Sequence, residues 1–233
     1  MALTDNILAY WKLDGNSNDS VASNNGTDTS ITYSAGNGLI VQGAGFDGST
    51  SKIALSTTAF GTTSTFSVSM WIKHSSFASR QGLFVKASGV SNVGACFWIE
   101  VSSVGTNNIS FGVMDSGLSG ATATSSGTVT DGVWNHVVCT CDGTNQKVYI
   151  NGSLSNTTAC AGATINNITM DTTLGYWGSY ASLPYGGAMD EVGFWSGKAL
   201  DSTEVTQLYN SGAGLSYPFT STNTTRLTLL NVS

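Results

Sequence analysis

Apolar and polar residues alternate along many short runs of the 233-residue chain. In Phe66–Lys73 (FSVSMWIK), Phe66, Val68, Met70 and Ile72 alternate with Ser67, Ser69, Trp71 and Lys73. A two-residue period puts each set on its own face of a β-strand. Similar runs predict strands at Ile7–Leu13, Gly82–Lys86, Ala95–Val101, Ile109–Met114, Trp134–Cys141, Lys147–Ile150, Thr172–Tyr176 and Met189–Trp195. Gly, Asn, Asp and Ser clusters separate them. Asp-Gly pairs at Asp14, Asp47, Asp131 and Asp142, and Asn-Gly at Asn151, supply the positive φ of tight turns. A hairpin across Asp142-Gly143 pairs two of the runs. Many short strands with frequent turns argue for an all-β, antiparallel two-sheet sandwich rather than βαβ units.

One short C-terminal helix is legible. Asp201 and Glu204 have capping-box spacing, and Val205, Leu208 and Tyr209 form an apolar stripe. Gly212 and Gly214 are expected to end it. Residues 1–215 then read as one sandwich. Residues 216–233 read as an arm or edge strand that is Thr/Asn-rich and finishes with the alternating RLTLLNV.

Composition narrows the function classes. Charged residues make up 9% of the chain, against roughly 25% in an average globular protein. The hydrophobic share is 40%, so charge-driven disorder is excluded. Net charge is -6 with only eight Lys and Arg, which cannot form a phosphate-tracking groove, so no nucleic-acid partner is expected. No apolar run approaches the roughly 20 residues that span a bilayer, so no membrane insertion is expected. The start, Met-Ala-Leu-Thr-Asp, lacks a basic region followed by an apolar one, so no secretory signal is expected. Such a protein stays in the cell or leaves it as part of an assembly.

The cysteines are Cys96, Cys139, Cys141 and Cys160. No C-x-x-C spacing favours zinc or redox chemistry. Cys139 and Cys141 share a strand face and cannot bridge each other comfortably. They read as small buried hydrophobes, with one disulfide involving Cys160 left open.

Three segments together resemble the laminin G-like, concanavalin A-like jelly-roll family. Asp131–Gly152 (DGVWNHVVCTCDGTNQKVYING) resembles its Gly-x-Trp-x-His strand, Asp-Gly turn and Tyr-x-Asn-Gly strand end. Met189–Tyr209 (MDEVGFWSGKALDSTEVTQLY) resembles its closing Asp-Glu-Val strand, Ala-Leu turn and short helix. Ala9–Asp19 with Gly45–Ser49 (AYWKLDGNSND, GFDGS) resembles its opening strand and Phe-Asp-Gly motif. The resemblance covers residues 1–215 and implies a jelly roll of the lectin–glucanase type.

Glucanases of such a fold set two carboxylates roughly 5 Å apart on one strand face. This chain has only Glu100, Glu191 and Glu204 as glutamates, and Asp190 and Glu191, being adjacent, face opposite ways. No enzyme is expected. Calcium takes hard oxygen ligands from loops, and the resemblance nominates Asp14, Asn16, Asp19 and Asp190 for a structural Ca2+. The segment Gly175–Gly187 (GYWGSYASLPYGG) sets Tyr176, Trp177, Tyr180 and Tyr185 in one Gly-flanked loop. Aromatic rings beside a few polar groups suit the apolar faces of sugars.

The leading expectation is a non-catalytic lectin-like module of a phage or virus particle (decoration, fibre or tail). Its partners are then copies of itself, other virion proteins and cell-surface glycans. The alternative is a free, extracellular carbohydrate-binding domain beside a glycan-active enzyme. Low charge, the lack of a signal and the strand-like arm favour the particle.

Overall fold

The computed structural model describes residues 2–56, 60–75, 79–87, 95–102, 107–114, 120–160, 163–165, 170–178 and 182–220. The predicted alternation at residues 66–73 forms the middle of β6 (Thr65–His74). This strand lies inside an eight-stranded antiparallel sheet. Its other members are β1 (Ile7–Trp11), β3 (Thr32–Ser34), β4 (Gly43–Asp47), β11 (Trp134–Asp142), β12 (Asn145–Ile150), β13 (Ser153–Ala159) and β17 (Gly186–Ser196). Their order is β13-β12-β11-β6-β17-β4-β3, with β1 also paired to β17. The expected hairpin joins β11 to β12, with Cys139 opposite Val148.

A seven-stranded sheet packs against it in the order β10-β9-β8-β7-β14-β5-β2. Its strands are β2 (Thr27–Thr29), β5 (Lys52–Leu55), β7 (Gln81–Ala87), β8 (Ala95–Val101), β9 (Asn108–Met114), β10 (Gly120–Thr128) and β14 (Asp171–Leu174). A two-stranded ribbon, β15 (Tyr176–Trp177) with β16 (Leu183–Pro184), completes the β structure. This is the all-β sandwich with one α-helix that the sequence predicts.

The inward faces meet in an aromatic core. Phe60, Phe66, Phe84, Phe97, Phe111 and Phe194 have no exposed surface. The Phe66 and Phe194 rings stack 5.8 Å apart at 12°. Each such side chain removed from water stabilises the fold by roughly 1.5–3 kcal/mol.

The eight-stranded sheet is also apolar on its outer face. Tyr10, Val138, Tyr149 and Trp195 there form a second cluster with Leu200, Val205 and Leu208. The latter two belong to α1 (Ser202–Tyr209). The predicted capping box is present. Asp201 accepts from the Thr203 and Glu204 amides at 2.8 and 2.9 Å, and Glu204 accepts from the Asp201 amide at 3.1 Å. Glu204 also pairs with buried Lys198 at 2.6 Å. The helix stops earlier than the glycines suggest: Asn210, at φ 47°, is its left-handed cap. Asn tolerates that conformation through its short polar side chain.

The first residues of the expected arm pack on the sandwich. Phe219 sits edge-on to Tyr10 (5.3 Å) and stacks on Trp195 (6.1 Å), and Tyr217 lies 5.8 Å from Tyr10. Residues 221–233, including RLTLLNV, lie outside the described residues.

Two of the strands that the alternation did not predict, β10 and β13, are small and polar. β10 reads GATATSSGT and β13 reads SLSNTTA. β13 has no fully buried residue, so it carries no apolar face to read. Both are edge strands recruited by backbone pairing to β9 and β12.

Candidate functional site

Two glycines open the outer face of the seven-stranded sheet. A Cβ on Gly112 would lie 2.1 Å from the Trp98 ring, and one on Gly82 would lie 2.9 Å from Trp177 Cβ. With neither present, Trp98 lies flat across β9, and the Tyr176–Trp177 ribbon comes down onto β7. There Val85, Ala87, Trp98 and Trp177 form a small apolar cluster outside the main core. The Trp98 and Trp177 rings are 5.8 Å apart, and the Arg80 guanidinium lies 5.6 Å from the centre of the Trp177 ring.

Beside this cluster is a cavity of about 380 Å³. Known ligand clefts run from roughly 300 to 1,000 Å³. Its apolar wall is Ala54, Val85, Ala87 and Trp177, and its polar groups come from Lys52, Asp171 and Thr173. Strand register explains the convergence. Thr173 of β14 sits between Ala54 of β5 and Val85 of β7, so all three share the outer face. Tyr176 stands at the edge, half-buried, with Lys52 Nζ 5.6 Å from its ring centre. Thr173 Oγ1 donates to the Tyr176 carbonyl and fixes the start of the loop. Trp177 is 1% exposed, yet its indole Nε1 has no hydrogen-bond partner among the described residues. A buried donor without an acceptor costs about 1–3 kcal/mol.

The four aromatic residues nominated in this loop therefore part company. Tyr176 and Trp177 line the cavity. Tyr185 sits in the core, edge-on to Phe46 and His74, and its hydroxyl donates to the Ala188 carbonyl at 3.1 Å. Tyr180 lies outside the described residues. Lys52, Ala54, Val85, Asp171 and Thr173 carry no local motif. Only the pairing of β5, β14 and β7 brings them together.

The nominated calcium ligands hold loops in place. Asp19 accepts from the amides of Tyr10, Val21 and Asn24 at 2.9 to 3.1 Å, and from the Asn24 side chain. Burial pushes its carboxyl up, but these donors together outweigh it and hold the pKa below the ordinary value. Asn16 is exposed and accepts from the Asn18 amide at 2.9 Å. Asp190 Oδ2 accepts from the Leu39 and Ile40 amides at 2.8 and 2.9 Å, while Asp14 Oδ1 accepts from the Gln42 amide at 2.9 Å. Asp14 and Asp190 thus fasten the same 39–42 loop, and Asn16 and Asp19 organise the first loop. Among the described residues, no group of three or more His, Cys, Asp or Glu could hold a metal.

Buried Glu191 lies next to Asp190, in a left-handed backbone at φ 51° where β17 bulges. Burial, then the nearby Asp14 charge, pushes its pKa up to about 7. Burial also pushes Asp190 up to about 8, and the Ile40 and Leu39 amides oppose it.

Both histidines have polar side-chain partners: His74 Nδ1 lies 3.3 Å from Asp131 Oδ1, and His136 meets Ser69. Ser69 Oγ and His136 Nε2 are 2.9 Å apart, but both residues are buried and Nδ1 of His136 has no partner. Burial lowers the His136 pKa to about 3, so the ring is neutral. Trp71 and Tyr209 stack beside the His136 ring. A serine–histidine pair with no orienting acid and no open side is structural. Glu100 is committed to Arg80 at 2.8 Å.

Comparison with known proteins agrees with the fold. No curated protein matches the chain in sequence. Domain 4 of AbnA, a GH43 extracellular arabinanase from Geobacillus stearothermophilus, solved with arabinotriose, is similar. Its TM-score is 0.69 at 22% identity, covering 86% of this chain and 96% of that one. The botulinum neurotoxin serotype G binding domain gives a TM-score of 0.67 at 16% identity, covering 88% of this chain. The serotype D ligand binding domain, solved with N-acetylneuraminic acid, gives 0.62 at 15% identity and the same 88% coverage. The match spans only 50% and 51% of those two toxin chains. The family model described as the concanavalin A-like lectin/glucanases superfamily matches residues 47–206, and the chain belongs to that family, in its laminin G-like branch.

Proposed function

We propose that the protein is a non-catalytic glycan-binding module whose sugar site is the cavity beside Tyr176 and Trp177. One observation carries the reading: the half-buried Tyr176 ring and Trp177 share a cavity wall with Ala54, Val85 and Ala87, beside the polar groups of Lys52, Asp171 and Thr173. A sugar ring offers its apolar C–H faces to Tyr176 and to the apolar wall. Thr173, Asp171 and Lys52 can bond its hydroxyls. Relatives of similar fold solved with arabinotriose and with N-acetylneuraminic acid support the class of ligand.

Screening the protein and its Tyr176→Ala variant on a glycan array tests this. The expected result is a set of glycans bound by the wild type and lost in the variant. An array on which both bind the same glycans would place the site elsewhere.

A second reading concerns where the module works. Tyr217 and Phe219 tie the start of the C-terminal segment to the eight-stranded sheet, on the face opposite the Tyr176 cavity. A segment leaving there can fasten the module to a phage or virus particle, through copies of itself or other virion proteins, with the sugar site outward. Light scattering of the full chain and of a form ending at Thr220 tests it. An oligomer that becomes monomeric on truncation supports the reading, and two monomers contradict it. Ending at Thr220 spares the Tyr217 and Phe219 contacts.

A further inference from the structure

Cys141 and Cys160 are the two thiols that the fold brings into contact. Their sulfurs are 3.3 Å apart, and both side chains are fully buried. Cys141 is near the end of β11, opposite Phe66 of β6 and Gln146 of β12. Cys160 follows the last residue of β13, and its amide donates to the Thr144 carbonyl at 2.8 Å. The chain thus turns over the β11–β12 hairpin end and directs Cys160 inward, toward a strand that is not its neighbour. Just beyond, Ile165 exchanges two backbone hydrogen bonds with Thr63, and the chain then enters β14.

We propose that Cys141 and Cys160 form an intramolecular disulfide when the protein meets a disulfide oxidant. The step is ordinary thiol–disulfide exchange. One cysteine thiolate attacks a small-molecule disulfide and expels one thiol. The second cysteine attacks the mixed disulfide and expels the other. Two protein thiols lose two electrons and two protons, and one oxidant disulfide becomes two thiols. A disulfide has an S–S bond of about 2.05 Å. Closing the gap needs a short movement of two side chains in a segment held by backbone bonds on both sides.

The other cysteines are placed differently. Cys96 touches Met170, with sulfurs 3.4 Å apart, and a thioether cannot complete a disulfide. Cys139 shares a strand face with Cys141, where a bond between them is strained.

Burial sets the conditions of the reaction. It pushes the Cys141 thiol up to about 12, so little thiolate exists in the closed fold. The bond forms as Cys160 leaves its buried position or while the chain folds, and once formed it is shielded from reductants. It fastens the crossover between the two sheets, directly ahead of the strand that supplies Asp171 and Thr173 to the cavity.

The test is to incubate the full chain with oxidised glutathione, alkylate free thiols, and map peptides by mass spectrometry. The expected result is a Cys141–Cys160 linked peptide, alkylated Cys96 and Cys139, and a mass lower by two hydrogens. Cys139→Ser is expected to keep the link and Cys160→Ser to lose it. The oxidised wild type is expected to melt several degrees above the reduced one, a comparison that needs no variant to fold. Four alkylated cysteines after oxidation, a link through Cys139 or Cys96, or an unchanged melting temperature in the linked form would overturn the proposal.

Discussion

The Trp98 and Trp177 rings face each other at 5.8 Å on the outside of the seven-stranded sheet, away from the main core. Sheet faces turned to solvent are usually polar. Here the two indoles hold the Tyr176 ribbon against β7, beside the cavity. Trp177 therefore builds the site as much as it contacts a ligand. Trp177→Ala is expected to lose sugar binding and also about 3 kcal/mol of stability, in the range for large buried truncations. Tyr176→Ala is expected to lose binding with little change in stability. Urea unfolding of both variants, read beside their binding, separates the two roles.

Gly82 and Gly112 make room for those indoles. Gly112→Ala is expected to cost roughly 1–3 kcal/mol, because the Trp98 ring must leave its place over β9. Gly82→Ala pushes against the Trp177 backbone and is expected to weaken sugar binding several-fold. Tryptophan emission shifting to the red in both variants would report the lifted indoles.

Stability is expected to fall as pH rises through Glu191. Below its ordinary pKa of 4.5, folded and unfolded chains both hold the proton. Between 4.5 and about 7, the unfolded chain releases it and the folded chain keeps it, so each step up in pH favours unfolding. Above about 7 this loss is complete. It amounts to something on the order of 3 kcal/mol, at 1.36 kcal/mol per pKa unit. Glu191→Gln is expected to reduce the slope, and Asp190, raised by the same burial, accounts for what remains. Urea midpoints at pH 4.5, 6 and 8 measure it.

Arg80 bonds both oxygens of Glu100, at 2.9 and 3.0 Å. Glu100 is buried while Arg80 is partly exposed. Arg80→Met leaves a buried carboxylate without its cation, which costs about 3–5 kcal/mol in fully buried pairs, and less here because water reaches the Arg80 side. Burial then keeps the Glu100 pKa raised without opposition. The variant is expected to regain stability at pH 5 relative to pH 8. Chemical denaturation at the two values checks this.

The longer apolar strands are legible because alternation marks a buried face. β6, β8, β11 and β17 lie where the runs at Phe66, Ala95, Trp134 and Met189 placed them. β10 and β13 are not, because Thr and Ser carry no hydrophobic signal and their pairing comes from neighbours. The helix start was encoded by Asp201 and Glu204, but its end fell to Asn210 rather than to a glycine. At the site, the aromatic loop announced Tyr176 and Trp177. It could not tell them from Tyr185, which faces the core, because a Gly-rich loop has no period. Acidic loop residues suggested calcium. Their oxygens accept backbone amides, a use that the same composition encodes equally well.

Calorimetric titration of the wild type and of Tyr176→Ala, with the strongest glycan from the array, tests the central claim most directly. The account predicts one binding event per chain in the wild type, reduced at least tenfold by the substitution, with unchanged melting temperatures. Equal affinity in both proteins would contradict it.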